Sequence, residues 1–145
     1  MRRFVPIAVF LTVFAFVPLA AQDDGPNVFF AGYFKTLPGK ADAYNARIRE
    51  FNIPLYEELV RRGKLVSFQR LVQFAGAGEY TNVNIAEYAN WDARNDISSE
   101  DYDAACQAVF GMTHQEILAE MDLKYGELPT LRTRIRRELY TSLKP

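Results

Sequence analysis

The sequence predicts one α+β domain whose elements follow the order β-α-β-β-α-β. Three kinds of segment predict it: an aromatic-rich apolar strand at 28–36, helical periodicity over 40–62, and alternating strands at 64–75, 80–89 and 131–139 around a second helical region. This order is typical of the ferredoxin-like arrangement, a four-stranded antiparallel sheet with the helices on one face. A chain of 145 residues is long enough for one such domain and too short for two.

The N-terminus has the pattern of a cleavable secretory signal peptide. Arg2 and Arg3 precede the uncharged run 4–21, which ends in small residues and leads into a polar segment. A retained membrane anchor is the alternative, because about 20 apolar residues can span a bilayer. Pro18 and the Ala-Ala-Gln-Asp exit favour cleavage.

These features divide the chain into three parts. We expect a signal peptide at 1–21, a linker at 22–27 and the folded domain at 28–145. The mature protein would then be secreted or periplasmic, without a membrane association after cleavage.

Charge and cysteine usage argue against several classes of function. Removing Arg2 and Arg3 from the 17 basic residues leaves 15 against 18 acidic ones, and such a mildly acidic chain is a poor nucleic-acid binder. Cys106 is the only cysteine, so we expect a packed helical residue and no internal disulfide. One histidine is too few for the usual transition-metal site, and we expect neither a metal nor a cofactor.

The first helix is predicted from an apolar stripe that begins at Tyr44 and ends at Leu59, with spacings of three and four residues. Pro54 lies inside this pattern and removes a backbone hydrogen bond, so we expect a kink or split near Asn52. Gly63 follows as a C-terminal cap.

The strands alternate between apolar and polar side chains, and we expect the apolar faces to pack on the helices. Those faces include Phe68 in the second strand and Val83 and Ile85 in the third. The opposite face would then carry the polar residues Gln69, Gln73, Asn82, Asn84, Tyr88, Arg132, Arg134 and Arg136.

The second helical region, which follows Trp91, is interrupted. Ser98 and Thr113 are N-cap residues, and Thr113 with Glu116 matches a capping box. Gly111 separates the two starts and is expected to break the helix. Trp91 is expected to fill the core between the third strand and this region.

A resemblance to a known superfamily rests on short motifs around the first helix. They are the strand followed by Pro38-Gly39-Lys40, the pair Pro54 and Tyr56, Gly63-Lys64 before the second strand, and Trp91 after the third. With these motifs the chain resembles the dimeric α/β-barrel superfamily, in which two such sheets pack face to face. Members include antibiotic-biosynthesis-type monooxygenases, haem-degrading monooxygenases, muconolactone isomerases and stress-responsive proteins. The resemblance implies a homodimer.

His114 is the only histidine and the obvious candidate for a general base or a haem ligand. Its place in the first turn of a capped helix favours an exposed structural role instead. Haem-degrading relatives use an asparagine, a tryptophan and a histidine together. The spacing of Trp91 and His114 does not fit that set, so we do not transfer the site.

Polar side chains from three strands form the candidate ligand site. An arginine binds a carboxylate or phosphate through two parallel hydrogen bonds, while amides and a phenol supply further placed polar groups. The predicted ligand-binding residues are Gln69, Asn82, Asn84, Tyr88 and Arg132. For Arg134 and Arg136, pairing with acidic residues of a partner subunit or exposure at an edge strand is the favoured interpretation.

The leading hypothesis is an exported homodimer that binds a small ligand between sheet and helices, and whether it is an enzyme stays open. The alternative, which the resemblance implies, is a cofactor-independent monooxygenase-like enzyme acting on an aromatic substrate. Asn82, Asn84 and His114 are its candidate catalytic residues. The second alternative is a haem-binding protein.

Overall fold

The computed structural model describes residues 26–73 and 78–142. The predicted signal peptide, most of the linker, residues 74–77 around the end of the predicted second strand and residues 143–145 lie outside the described residues. The four strands are β1 (Val28–Thr36), β2 (Ser67–Val72), β3 (Asn82–Tyr88) and β4 (Arg132–Thr141). The helices are α1 (Ala41–Arg47), α2 (Ile53–Arg61), α3 (Trp91–Asn95), α4 (Ser99–Phe110), α5 (His114–Tyr125) and α6 (Leu128–Leu131).

The strands form one antiparallel sheet in the order β2-β3-β1-β4. This is the ferredoxin-like arrangement, so the predicted fold class is confirmed. Strand β1 occupies the predicted residues without a shift. Its central place agrees with its apolar composition on both faces.

On β3 the helices cover the face opposite to the one that the strand pattern predicted, whereas Phe68 of β2 packs on the helix-facing core as expected. Ala86 and Tyr88 of β3 pack into the helix-facing core together with Leu55, Leu59 and Cys106. Since successive strand residues point to opposite faces, Asn82 and Asn84 share this face with them. Val83 and Ile85 therefore lie on the outer face, and the prediction that they pack on the helices is wrong.

The reason for the reversal is that the apolar residues of β3 occupy both faces. Val83 pairs with Tyr33, and Ile85 pairs with Ala31, so the middle of the outer face is itself apolar. Alternation alone assigned the more apolar set to the core. Packing instead places the polar set against the helices, where it borders a cavity.

The first helix is interrupted where the sequence predicted it. A π-helical turn, Ile48–Asn52, separates α1 from α2, and Pro54 lies in the first turn of α2. Proline cannot donate to the carbonyl four residues earlier, and a π turn accommodates that lost bond by widening the helix. The turn ends at Asn52, whose side chain borders the cavity.

Strand β4 carries one irregularity in its pairing with β1. Tyr33 pairs with Arg136, while Phe34 pairs with Arg134, so Ile135 is an extra residue. The bulge turns Arg136 to the outer face, where it contacts Glu79 and Glu138. The prediction that Arg136 shares a face with Arg132 and Arg134 is therefore wrong.

Both predicted helix starts are confirmed, because Ser98 and Thr113 each form a complete capping box. Gly111 ends α4 with a φ of 69°, a left-handed conformation that favours glycine. Trp91 is 44% exposed at the start of α3 and does not fill the core as expected. No helix of the described residues is long and apolar enough to cross a membrane.

Candidate functional site

A cavity of about 470 Å³ lies between the helix-facing side of the sheet and the helices. Its floor is formed by strand residues from all four strands, and its walls come from α2, α3, α4 and the π-helical turn. Gly32 is at the centre of the floor, paired with Asn84 on one side and Arg137 on the other. A side chain at this position would collide with the Phe34 ring, since a Cβ would lie 2.9 Å from its Cζ. The cavity therefore depends on a glycine here.

Aromatic rings supply most of the apolar lining. Tyr56 of α2 stacks on Phe68 of β2, with ring centroids 4.2 Å apart and an interplanar angle of 8°. The six aromatic lining residues are Phe30, Phe34, Tyr56, Phe68, Tyr88 and Tyr102. Such rings present flat apolar surfaces at low entropic cost, which suits a planar ligand.

Four arginines line the same cavity: Arg94, Arg132, Arg134 and Arg137. Among the described residues, none of them forms an ion pair, and the lining residues include no aspartate or glutamate. Several arginines elsewhere are ion-paired: Arg47 pairs with Asp122, and Arg61 and Arg62 pair with Glu58. Positive charge is therefore concentrated in the cavity without a counter-charge.

Arg132 is the most constrained of these groups. Its guanidinium carbon lies 3.7 Å from the centroid of the Phe34 ring, a cation–π stack that fixes the plane of the fork. Burial lowers its pKa; Tyr44 partly offsets that effect, and the charges of Arg134, Arg70 and Arg137 add to it. Its Nε is buried and has no hydrogen-bond partner among the described residues. An unpaired buried donor of this kind costs free energy unless an acceptor meets it.

Arg70 extends the positive charge towards β2 and is held by amides instead of carboxylates. It donates to Asn45 and Asn82 at 2.8 Å each and to Asn84 at 3.3 Å. Asn82 is buried and also donates to Thr36, so its hydrogen-bonding groups are used within the protein. Asn84 lines the cavity, whereas Asn82 supports Arg70 from behind.

Three tyrosines stand together at the end of the cavity near α4. Burial raises the pKa of Tyr88 and of Tyr102, and burial together with Tyr102 and Tyr88 raises the pKa of Tyr56. All three phenols therefore stay protonated over the physiological range. They offer hydrogen-bond donors to a ligand but do not act as bases at neutral pH.

His114 is half-buried between two rings and not exposed as expected. Its ring centroid lies 5.2 Å from that of Tyr102 and 6.0 Å from that of Phe51, both nearly parallel to it. Burial lowers its pKa, partly offset by Asp103, so the imidazole is neutral at physiological pH. It does not line the cavity and acts there only through Tyr102.

Cys106 is fully buried in the core, as predicted. Burial raises the pKa of its thiol to about 11, with a smaller effect of Asp103, so it is protonated and unreactive at neutral pH. Within the ranges that the structure describes, no group of three or more His, Cys, Asp or Glu residues is placed to hold a metal ion.

The predicted ligand-binding residues divide into three groups. Asn84, Tyr88 and Arg132 line the cavity. Asn82 lies behind it, and Gln69 pairs with Ile85 and therefore lies on the outer face. The sequence reasoning missed six polar or phenolic lining residues: Asn52, Tyr56, Arg94, Asn95, Tyr102 and Arg137. Pro54 pointed to the turn that ends at Asn52, but no local pattern marked the others.

No family model and no curated protein matches this sequence. Several solved structures are similar to it, among them the following three. HapK from Hahella chejuensis is 12% identical, with 81% of this chain and 94% of that chain covered and a TM-score of 0.46. A dimeric ferredoxin-like protein of unknown function from Thermobifida fusca is 14% identical, with 82% and 93% covered and a TM-score of 0.45. SnoaB, a cofactor-independent oxygenase from Streptomyces nogalater, is 16% identical, with 83% and 97% covered and a TM-score of 0.44. At these low scores, none of the similarities assigns an activity to this chain.

The state of Arg132 leads to a prediction about stability. The variant Arg132→Met keeps an apolar side chain on the Phe34 ring. It removes a half-buried positive charge that repels the neighbouring arginines. We expect the free energy of unfolding, measured by urea denaturation, to stay within about 0.5 kcal/mol of the parent value or to rise. The control is Arg47→Met, since Arg47 is buried and binds Asp122 at 2.6 Å. That variant should lose at least about 1 kcal/mol. Equal losses in both variants would contradict the description of Arg132 as uncompensated.

Proposed function

We propose that the protein binds a small aromatic molecule in the cavity between sheet and helices, and that it works as an exported homodimer. The binding proposal rests on the volume of the cavity together with its aromatic lining. A cavity of about 470 Å³ walled by six aromatic residues is within the range of roughly 300–1,000 Å³ that holds small organic ligands. The stacked pair Tyr56 and Phe68 offers a flat wall for a planar ring.

Binding is favoured over catalysis by the chemistry of the lining residues. Of the three candidate catalytic residues, only Asn84 lines the cavity. The described lining residues include no histidine, cysteine, aspartate or glutamate, and the phenols keep their protons at neutral pH. A reaction that needs a general base would find none positioned there. The oxygenase alternative therefore has no specific observation in its favour.

The haem alternative is weakened by the position of His114. This residue is enclosed between the rings of Tyr102 and Phe51 and does not line the cavity. A haem in the cavity would not reach it as an axial ligand.

The outer face of the sheet supports the homodimer. It carries an apolar band in which Leu71 is 54% exposed and Tyr140 is 47% exposed, with Ile85 and Phe29 between them. Apolar sheet faces of this kind are covered in stable proteins. A second copy of the chain presents the same band, and a two-fold axis places like surfaces together.

Export rests on the N-terminal sequence. The basic start, the uncharged run and the small residues before Gln22 support removal of residues 1–21 and release outside the cytoplasm.

Ligand binding is tested with the neutral fluorescent dye N-phenyl-1-naphthylamine. We expect its fluorescence to rise and saturate on titration with the protein, because the dye transfers from water to an apolar cavity. Gly32→Leu places a side chain in the cavity and should weaken binding by at least about tenfold, the effect of roughly 1.4 kcal/mol. Ala119→Leu adds the same side chain at an exposed position on α5 and should leave binding unchanged. Circular dichroism confirms that both variants are folded. Equal binding by the two variants would show that the dye binds elsewhere.

The homodimer is tested by sedimentation equilibrium of the chain from residue 22 onwards. We expect twice the monomer mass for the parent protein and the monomer mass for Leu71→Asp, because an aspartate would bring a charge into the apolar interface. Leu123→Asp is the control, since Leu123 is 90% exposed on α5, on the helical side of the sheet. A monomeric parent protein, or dissociation of both variants, contradicts the proposed interface.

Cleavage is tested by intact mass spectrometry of the protein recovered from a bacterial expression host. We expect the mature chain to begin at Gln22 and to be found outside the cytoplasm. A chain that keeps residues 1–21 in the membrane fraction would instead support the retained anchor.

A further inference from the structure

The charge in the cavity contrasts with the rest of the protein. The whole chain is nearly neutral, with 17 basic and 18 acidic residues, yet the cavity lining contains four arginines and no acidic residue. Arg70 adds a fifth guanidinium beside Asn84 without an ion pair of its own among the described residues. A generally basic surface does not explain this concentration.

Three of these charges come from β4, at one edge of the sheet. Arg132 and Arg134 come from β4 before the bulge, and Arg137 comes from β4 after it, opposite Gly32. The bulge at Ile135 turns Arg136 to the outer face, where Glu79 and Glu138 neutralise it. Arg136 is therefore ion-paired on the outer face, whereas the adjacent Arg137 lies on the helix-facing side and has no ion pair among the described residues.

Two buried polar atoms near this edge have no partner in the described part of the chain: Arg132 Nε and the hydroxyl of Tyr44. Arg132 stacks on Phe34 and lies over the Tyr44 ring at 5.7 Å, so the two atoms belong to one neighbourhood. Buried donors are normally satisfied, and a guanidinium fork matches the two oxygens of a carboxylate or phosphate. Desolvation strengthens such a bond, because less water competes for the charge.

Two of the remaining arginines, Arg94 and Arg137, lie close to an aromatic ring. Phe30 has Arg94 at 5.8 Å and Arg137 at 5.5 Å from its ring centroid. Arg134 and Arg137 are exposed and mark the mouth of the cavity, while Arg132 is half-buried further in. A charged ligand would meet the outer arginines first and reach Arg132 as it enters.

We propose that the ligand of this cavity is an aromatic oxyanion, whose carboxylate or phosphate binds Arg132 with Arg134 and Arg137 while its ring lies along the aromatic wall. This inference rests on the proposed function, because it names the class of the ligand that the cavity takes. The protonated phenols of Tyr88 and Tyr102 at the other end would donate to a hydroxyl or carbonyl on the ring, while the Tyr56 phenol is hydrogen-bonded to Tyr102.

The test compares two dyes that share one aromatic skeleton. N-phenyl-1-naphthylamine is neutral, and 8-anilinonaphthalene-1-sulfonate carries an additional sulfonate. We expect the sulfonate to bind at least about tenfold more tightly at low salt, since a charge-assisted hydrogen bond contributes about 1.5–3 kcal/mol. Its affinity should fall as sodium chloride is raised, while that of the neutral dye should not.

Variants locate the anion site. Each of the variants Arg132→Gln, Arg134→Gln and Arg137→Gln should lower the affinity for the sulfonate dye by about tenfold or more. The affinity for the neutral dye should change by less than about twofold. Arg136→Gln is the matched control, because it lies in the same strand, is adjacent to Arg137 and faces the other side. Arg134 and Arg137 are exposed, so their variants keep the test valid if Arg132→Gln fails to fold.

Competition identifies the oxyanion. Displacement of the sulfonate dye by 1-naphthoate but not by 1-naphthyl phosphate assigns a carboxylate, and the reverse assigns a phosphate. Equal affinity of the two dyes, or loss of the sulfonate dye in Arg136→Gln as well, overturns the anion site while the aromatic cavity stands. Binding of neither dye overturns both the proposed function and this inference.

Discussion

One extra residue in β4, Ile135, shifts the register with β1 and decides which side chains of β4 face the helices and which face outward. Before the bulge, Arg132 and Arg134 point to the helices. After it, Arg137 points the same way while Arg136 points outward. Both the charged rim of the cavity and the salt bridges of the outer face depend on this one irregularity, because a strand without it places alternate residues strictly on opposite faces.

Gly32 and the π-helical turn create the space that the arginines surround. Gly32 lies between Asn84 and Arg137 and leaves the centre of the floor without a side chain. On the helical side, the turn Ile48–Asn52 widens the helix before Pro54 and brings Asn52 to the cavity. The glycine in the sheet and the π-helical turn in the helical layer therefore border the same cavity. Such departures from regular structure cost stability and are often kept where a ligand binds.

The cavity arginines are a second feature that lowers the stability of the protein. Arg132 is half-buried, close to other positive charges, and has a buried donor without a partner in the described chain. The buried Arg47 also has an Nε without a partner in the described chain, but its charge is paired, because its Nη1 binds Asp122 and the carbonyl of Gly126. The contrast shows that the fold is able to neutralise an arginine where structure alone requires it. A bound anion would neutralise the cavity arginines in the way that Asp122 neutralises Arg47.

The sequence by itself determined the element types, the limits of β1, the two capping boxes and the interruption before Pro54, because all of these follow from residues close together in the chain. Alternation also grouped Asn84, Tyr88 and Arg132 on one face, and all three border the cavity, although the pattern had placed that face away from the helices. Only the tertiary structure decided which face of the sheet meets the helices, since alternation separates two faces without ranking them. It also decided that Arg94 and Arg137 join the site, because a bulge and a distant helix bring them there through long-range pairing.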